Sequence, residues 1–335
     1  MKKFLFVLLA LTSCRVQSVP EQKTVFATPN HHIGYLFIDT ESGDTVLAHN
    51  SDKYFIPAST TKLFTFYASL THLPLSLPAI HYTETKDSLV FWGTGDPSLL
   101  RPDFGSNNAL DFLRSKANKH LVFSDANFSD NSLGKGWMWD DYQDGYQTEV
   151  SPLPLYGNLV KFNENEVQPP FFKSHIGNIP SVDTIAHRDV ATNSFQAPKF
   201  RSGLNQNLPF RTSGNLTAQL LSDTLHLAVG YQKIARPKDV KSLFMADRDS
   251  LINTMLYLSD NMIAEQLLLM TSAEKLSTQT AIEQILSNQL ANLPQKPRWV
   301  DGSGLSRYNL FTPEDMVYLL QIMKNQWGIE TIRGF

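Results

Sequence analysis

The chain has 335 residues, 42% of them apolar, enough to bury a large core and to build more than one module. A formal net charge of −3, with only 18% charged side chains, excludes the basic field that nucleic-acid binding requires, so no nucleic-acid partner is expected. The nine His residues show no metal-ligand spacing, and His31-His32, the adjacent pair, reads as a turn or surface pair, so no metal or other cofactor is expected.

At the N-terminus, Lys2 and Lys3 precede an uncharged run from Phe4 to Ser13, too short to span a bilayer and suited to a signal peptide. The run ends in Leu11-Thr12-Ser13-Cys14, which resembles the lipobox of bacterial lipoproteins, and Cys14 is the sole cysteine. The expectation is a lipoprotein signal over residues 1–13, lipidation at Cys14, a polar tether over 14–32, and a protein held to a membrane in the periplasm. Ile33–Asp39 and Thr45–His49 then read as a strand hairpin around Glu41-Ser42-Gly43-Asp44. Ser59–Leu70 follows as a helix, giving a first segment over 33–72. Residues 73–233 change character: Pro, Gly and Asn are frequent, strands such as Leu89–Trp92 and His120–Phe123 are short, and the long helix is Thr217–Leu227. This reads as a large β-rich insertion. Helical periodicity returns over 234–335, with Asp249–Tyr257, Met262–Met270, Thr278–Leu290 and Pro313–Lys324. The last opens on Thr312 as N-cap, Pro313 in the first turn, then Glu314 and Asp315.

Three Ser-x-x-Lys spacings occur, at Ser59, Ser132 and Ser272. Ser132–Lys135 lies in a Gly-rich stretch without a helix to fix its geometry, and Ser272–Lys275 sits at a helix end whose dipole disfavours negative charge. Ser59 and Lys62 open a helix, where one turn places both side chains on one face and the N-terminal dipole favours an anion. A serine hydroxyl needs a base to become a nucleophile, and Lys62, flanked by Leu63, Phe64 and Phe66, can be desolvated into one. Ser259-Asp260-Asn261 stands at the next informative helix entrance. Read singly, Ser59 and this tripeptide are ordinary helix caps. Read together, Ser-x-x-Lys followed by Ser-Asp-Asn is two thirds of a penicillin-sensitive serine acyl-transfer site.

From about Ile33 to its end the chain resembles the class C low-molecular-mass penicillin-binding proteins, which are D-alanyl-D-alanine carboxypeptidases and endopeptidases. The resemblance is carried by Pro57-Ala58-Ser59-Thr60-Thr61-Lys62, Gly93-Thr94-Gly95-Asp96-Pro97-Ser98-Leu99, Gly136-Trp137-Met138-Trp139, Ser259–Glu265 and Asp301-Gly302-Ser303-Gly304-Leu305-Ser306-Arg307. It implies an α+β fold, the sheet flanked by helices that serine β-lactamases and DD-peptidases share, interrupted by the insertion. It implies a periplasmic serine-type carboxypeptidase acting on peptidoglycan stem peptides, with Ser59 acylated, Lys62 as base, Ser259 as proton relay and Asn261 bound to substrate and Lys62. Arg307 would meet the stem-peptide side-chain carboxylate, its bland alternative being a surface ion pair, and Asp125 would assist from the insertion. β-Lactams would act as covalent inhibitors.

Two features depart from that pattern. Tyr257 stands where many members carry Lys. No Lys-Thr/Ser-Gly segment follows Asn261, and Arg201-Ser202-Gly203 and Arg211-Thr212-Ser213-Gly214 come too early to replace it. The resemblance therefore implies that C-terminal strands are missing, and with them a carboxylate-binding cation and an oxyanion donor, so that these residues would fold poorly and hydrolyse little. A compact β-lactamase is disfavoured by the long stretch between Lys62 and Ser259. A non-catalytic peptidoglycan-binding lipoprotein on a degenerate peptidase scaffold remains as the alternative.

Overall fold

The computed structural model describes residues 31–105, 107–164, 166–179, 185–198, 203–272 and 275–335. Gly34–Phe335 forms one unit; of the other, Met1–Ile33, only the last three residues are described, so Cys14 and the signal segment lie outside them. No described helix is long and apolar enough to cross a membrane.

β1 (Tyr35–Ile38) and β2 (Thr45–His49) pair antiparallel, as the turn residues between them predict. Asp39 closes the turn, its Oδ1 accepting the Glu41 and Ser42 amides at 2.9 and 2.8 Å. The predicted helix over Ser59–Leu70 is instead a 3-10 turn, Ala58–Thr61, running into α1 (Lys62–His72). The turn begins at Ala58, whose φ of +48° is incompatible with a regular helix start.

β3 (Ser76–Glu84), β4 (Ser88–Gly93), α2 (Asn108–Ser115) and β5 (His120–Ser124) follow. Two small three-stranded sheets come next. β6 (Leu159–Asn163) and β7 (Val167–Gln168) form one with a later strand, Asn205–Pro209; β8 (Ile176–Ile179), β9 (His187–Arg188) and β10 (Phe195–Pro198) form the other. β11 (Asn205–Pro209) leads to α3 (Gly214–Leu225), which starts earlier than its apolar periodicity suggests because Ser213 accepts the Leu216 amide. It stops at His226, which is left-handed at φ +56°. β12 (Val229–Tyr231) and β13 (Lys241–Asp247) complete a five-stranded sheet of order β12-β5-β4-β3-β13.

The remainder is helical: α4 (Arg248–Leu258), α5 (Asn261–Met270), α6 (Thr278–Ser287), α7 (Pro313–Trp327) and α8 (Ile329–Arg333). α7 carries the anticipated cap, with Thr312 and Asp315 each accepting the other's backbone amide at 3.1 Å. Apolar side chains collect into two main clusters. One joins the five-stranded sheet, α2, α3 and the small sheets through Phe91, Phe123, Phe162, Phe172 and Leu221. The other joins α1, α4, α5, α6 and α7 through Phe64, Phe66, Leu251, Ile263, Ile285 and Leu319. The architecture is α+β.

Candidate active site

Ser59 and Lys62 belong to the turn and the helix that follows it. Ser59 is exposed at the helix mouth, while Lys62 is sunk to 2% exposure with its Nζ 3.1 Å from Ser59 Oγ. α1 is held in place by the apolar cluster behind it, where the Phe64 ring meets Phe311 at 4.3 Å and Trp299 at 5.5 Å.

The corner between α4 and α5 brings the second motif to the same point. Ser259 ends α4 in the left-handed region at φ +54°, and Asp260 caps α5 by accepting the Ile263 amide at 2.9 Å. The Ser259 hydroxyl donates to Ser59 Oγ at 3.0 Å. Lys62 Nζ donates to Asn261 Oδ1 at 2.7 Å and to the Ser303 carbonyl at 2.9 Å. Asn261 Nδ2 in turn donates to the Tyr146 carbonyl at 3.1 Å. Ala58 and Ser259, both non-glycine residues at positive φ, thus flank the Ser59–Lys62 pair; each such conformation costs about 1–2 kcal/mol and persists because packing over-determines it.

The loop over 301–307 forms the floor. Asp301 is 1% exposed and its carboxylate is saturated. Oδ1 accepts the Gly304 amide at 2.9 Å and Asn309 Nδ2 at 2.7 Å; Oδ2 accepts the Ser306 amide at 2.6 Å and Trp137 Nε1 at 2.9 Å. The two glycines are steric requirements. A Cβ on Gly302 would lie 2.5 Å from the Ala264 carbonyl oxygen, and one on Gly304, at φ +88°, would lie 1.9 Å from that of Ala58.

Lys62 Nζ has three oxygen neighbours, Asn261 Oδ1, the Ser303 carbonyl and Ser59 Oγ. As an ammonium it donates to all three; as a neutral amine, with two N–H donors and one lone pair, it keeps the first two and turns the lone pair to the Ser59 hydroxyl. Burial brings the Lys62 amine down to about 8, against the Glu265, Asp260 and Asp301 carboxylates, which hold its proton on.

A cavity of about 340 Å³ opens beside Ser259 and Asn261, lined also by Arg101, Asp103, Tyr146, Tyr156 and Lys161. Arg101 spans it, its Nη2 lying 2.8 Å from Asp103 and 3.0 Å from Asp260. Nothing in the sequence singled out Arg101, since its partner, the middle residue of Ser-Asp-Asn, sits far along the chain. Arg307 is exposed and makes no ion pair among the described residues; its amide reaches the Gly136 carbonyl at 3.4 Å. Asp125 does not line the cavity, and both its oxygens accept the Tyr231 hydroxyl, at 3.0 and 3.1 Å. Tyr257 is 89% exposed.

The other look-alike motifs have structural duties. The Ser132 and Lys135 carbonyls accept the Val150 amide and the Ser306 hydroxyl, both at 2.7 Å. The Ser272 hydroxyl reaches the Leu269 carbonyl at 2.7 Å; Ala273 and Glu274 lie outside the described residues. Thr212 binds Glu149 through its amide and hydroxyl at 2.6 and 2.7 Å, and Ser213 caps α3. Arg201 and Ser202 also lie outside the described residues. Among the described residues no group of three or more His, Cys, Asp or Glu could hold a metal ion.

Residues 22–207 and 232–333 match the family model of the D-Ala-D-Ala carboxypeptidase 3 (S13) family. The chain is 25% identical to the D-alanyl-D-alanine carboxypeptidase DacB of Haemophilus influenzae, in an alignment covering 91% of this chain and 74% of that protein. Among solved structures, penicillin binding protein 4 (dacB) from Haemophilus influenzae superposes with a TM-score of 0.71 at 20% identity, over 90% of this chain and 77% of that one. The same protein complexed with a β-lactam gives 0.62 at 17% identity, over 89% and 76%. At such identities the structural likeness speaks for the fold.

Proposed function

The chain belongs to the D-Ala-D-Ala carboxypeptidase 3 (S13) family, and from that premise we propose that it cleaves peptidoglycan stem peptides by acyl transfer to Ser59. Ser59 Oγ attacks the carbonyl of the penultimate D-Ala while its proton passes to Lys62 Nζ. The tetrahedral intermediate collapses, breaking the peptide bond; the departing amine takes a proton from Lys62 through the Ser259 hydroxyl. Water then hydrolyses the ester and restores Ser59. The observation that carries this reading is the Lys62 amine, fixed between Asn261 Oδ1 and the Ser303 carbonyl and 3.1 Å from Ser59 Oγ.

Prolonged exposure to a penicillin, followed by peptide mass spectrometry, is expected to show one covalent adduct, on Ser59, absent from Ser59→Ala. An adduct elsewhere, or none, would remove the reading and favour a peptidoglycan-binding module without chemistry. We also propose that Cys14 carries lipid and holds the protein to a membrane in the periplasm, supported by Lys2, Lys3 and the apolar run before it. Cys14→Ala should then move the protein into the soluble fraction; unchanged membrane association would refute the anchor.

A further inference from the structure

The mechanism above leaves Glu265 without a part, although its side chain is 3% exposed and lies against the catalytic floor. On α5, Asn261 and Glu265 are four residues apart and so share a face. Asn261 holds Lys62 directly. Glu265 holds the other acceptor: Oε2 takes the Gly302 amide at 3.0 Å and Oε1 takes the Ser303 amide at 2.8 Å, and the Ser303 carbonyl is the one on Lys62 Nζ. The close fit of Gly302 against the Ala264 carbonyl brings the loop near enough for both bonds.

We propose that Glu265 is a positioning residue for the nucleophile's base: its carboxylate pins the Gly302–Ser303 backbone so that the Ser303 carbonyl stays on Lys62, and its charge sets how readily Lys62 gives up its proton. The inference rests on the acyl-transfer reading. Both Glu265 oxygens are used as acceptors of N–H bonds, which is what an ionised carboxylate requires. The charged groups facing this buried cluster are Lys62 from α1, Asp260 capping α5, Glu265 from α5 and Asp301 from the floor loop, with Arg101 on the far side of Asp260. Burial and the nearby Asp301 push Glu265 upward, while burial pulls Lys62 downward against the Glu265 charge. Neutralising Glu265 removes the largest of the charges that keep the proton on Lys62. Lys62 should then deprotonate at lower pH, even as the Ser303 carbonyl loses its anchor.

The test separates these two consequences. Lysine 13Cε signals are followed by NMR against pH in the full chain, with the Lys62 signal assigned by its loss in Lys62→Arg. Glu265→Gln is expected to lower the Lys62 midpoint by about one pH unit, a tenfold loss of proton affinity, and Glu265→Asp to recover most of it. In parallel, penicillin acylation of Glu265→Gln should reach a lower plateau while its acid limb moves to lower pH. A lower plateau with an unmoved limb and an unmoved Lys62 midpoint would mean Glu265 is only structural, and would overturn the proposal. If Glu265→Gln does not fold, the wild-type Glu265 13Cδ signal decides: a titration step shared with Lys62 supports the proposal, and a carboxyl that stays neutral throughout overturns it. Failure of the wild-type chain to acylate at Ser59 would refute the acyl-transfer reading, and the Lys62 titration would still judge the role of Glu265.

Discussion

Two buried ionisable side chains illustrate opposite uses of desolvation. At Lys62, loss of water outweighs three carboxylates and leaves the amine near 8, within reach of neutral pH. Because only the free amine can take the Ser59 proton, the acylation rate is expected to climb as pH rises through about 8 and then level. Lys62→Arg, which cannot deprotonate, should lose roughly a hundredfold or more at every pH. A pH-independent rate in the wild type would exclude Lys62 as the base. Asp96 is 1% exposed in the turn after β4, and burial raises its carboxyl to about 6 even though the Ser98 amide donates to Oδ1 at 2.9 Å. Its Oδ2 has no partner among the described residues. Since the folded value lies above the ordinary 3.8, folding takes up a proton between the two, and above about 6 the ionised group destabilises the fold. This contribution to stability is therefore expected to rise as pH falls through about 6 toward 3.8. Asp96→Asn should be more stable at neutral pH by roughly 1–2 kcal/mol and flat in that window, as denaturant melts at several pH values would show.

Glycines in the loops connecting elements set how closely α1 and the floor loop approach. With a Cβ at Gly304 falling 1.9 Å from the Ala58 oxygen, Gly304→Ala must push the Ser59 turn and the loop apart. The expected cost is roughly 2–4 kcal/mol, with acylation at least about a hundredfold slower. Gly43→Ala is the control: its φ is +79° but nothing lies within 4 Å, so only backbone strain of about 1 kcal/mol should appear, with acylation unchanged. If both variants acylate like wild type, the close approach is not what sets the site. The same distinction explains what was readable in the chain. Ser59, Lys62, Ser259 and Asn261 announce themselves because side-chain chemistry is written in residue type, and the Asp39–Asp44 turn and the Thr312 cap because local hydrogen bonds follow local sequence. The Ser303 carbonyl has no signature of its own, and Arg101 gains meaning only from an Asp brought to it by the fold. β3 and β13 were obscured for another reason. Pro78 interrupts the pattern of β3, and β13 pairs with it antiparallel, across two register shifts, from the far side of the insertion. The eight residues of α2 leave too short a periodic stretch to stand out in the sequence.

Across the whole molecule, many contacts join the part built on the sheet cluster to the part built on the helix cluster, and three of them bear on whether the site feels the insertion. β3 contributes Leu77 to the helix cluster and Ala79 and Ile80 to the sheet cluster, so one strand is embedded in both. Gln266, fully buried on α5, donates to the Gly95 carbonyl at 2.7 Å and the Ser151 carbonyl at 2.9 Å, and accepts the Ser151 amide at 3.2 Å. These bonds fasten the turn after β4 to the helix that carries Asn261. The third connection is the indole of Trp137, which reaches from the insertion to Asp301 in the floor loop. Trp137→Phe keeps a large apolar ring but removes that donor, leaving Asp301 Oδ2 with the Ser306 amide alone among the described residues. Loss of one hydrogen bond to a buried carboxylate is expected to cost about 1–3 kcal/mol. The loss should be local, with faster amide exchange at Gly304 and Ser306 and several-fold slower penicillin acylation, while exchange in β4 and β5 stays as in wild type. Trp139→Phe, at a side chain 79% exposed, should change neither. Slower acylation in Trp137→Phe without faster exchange at Gly304 and Ser306 would show that the indole acts on the site by some route other than the floor loop.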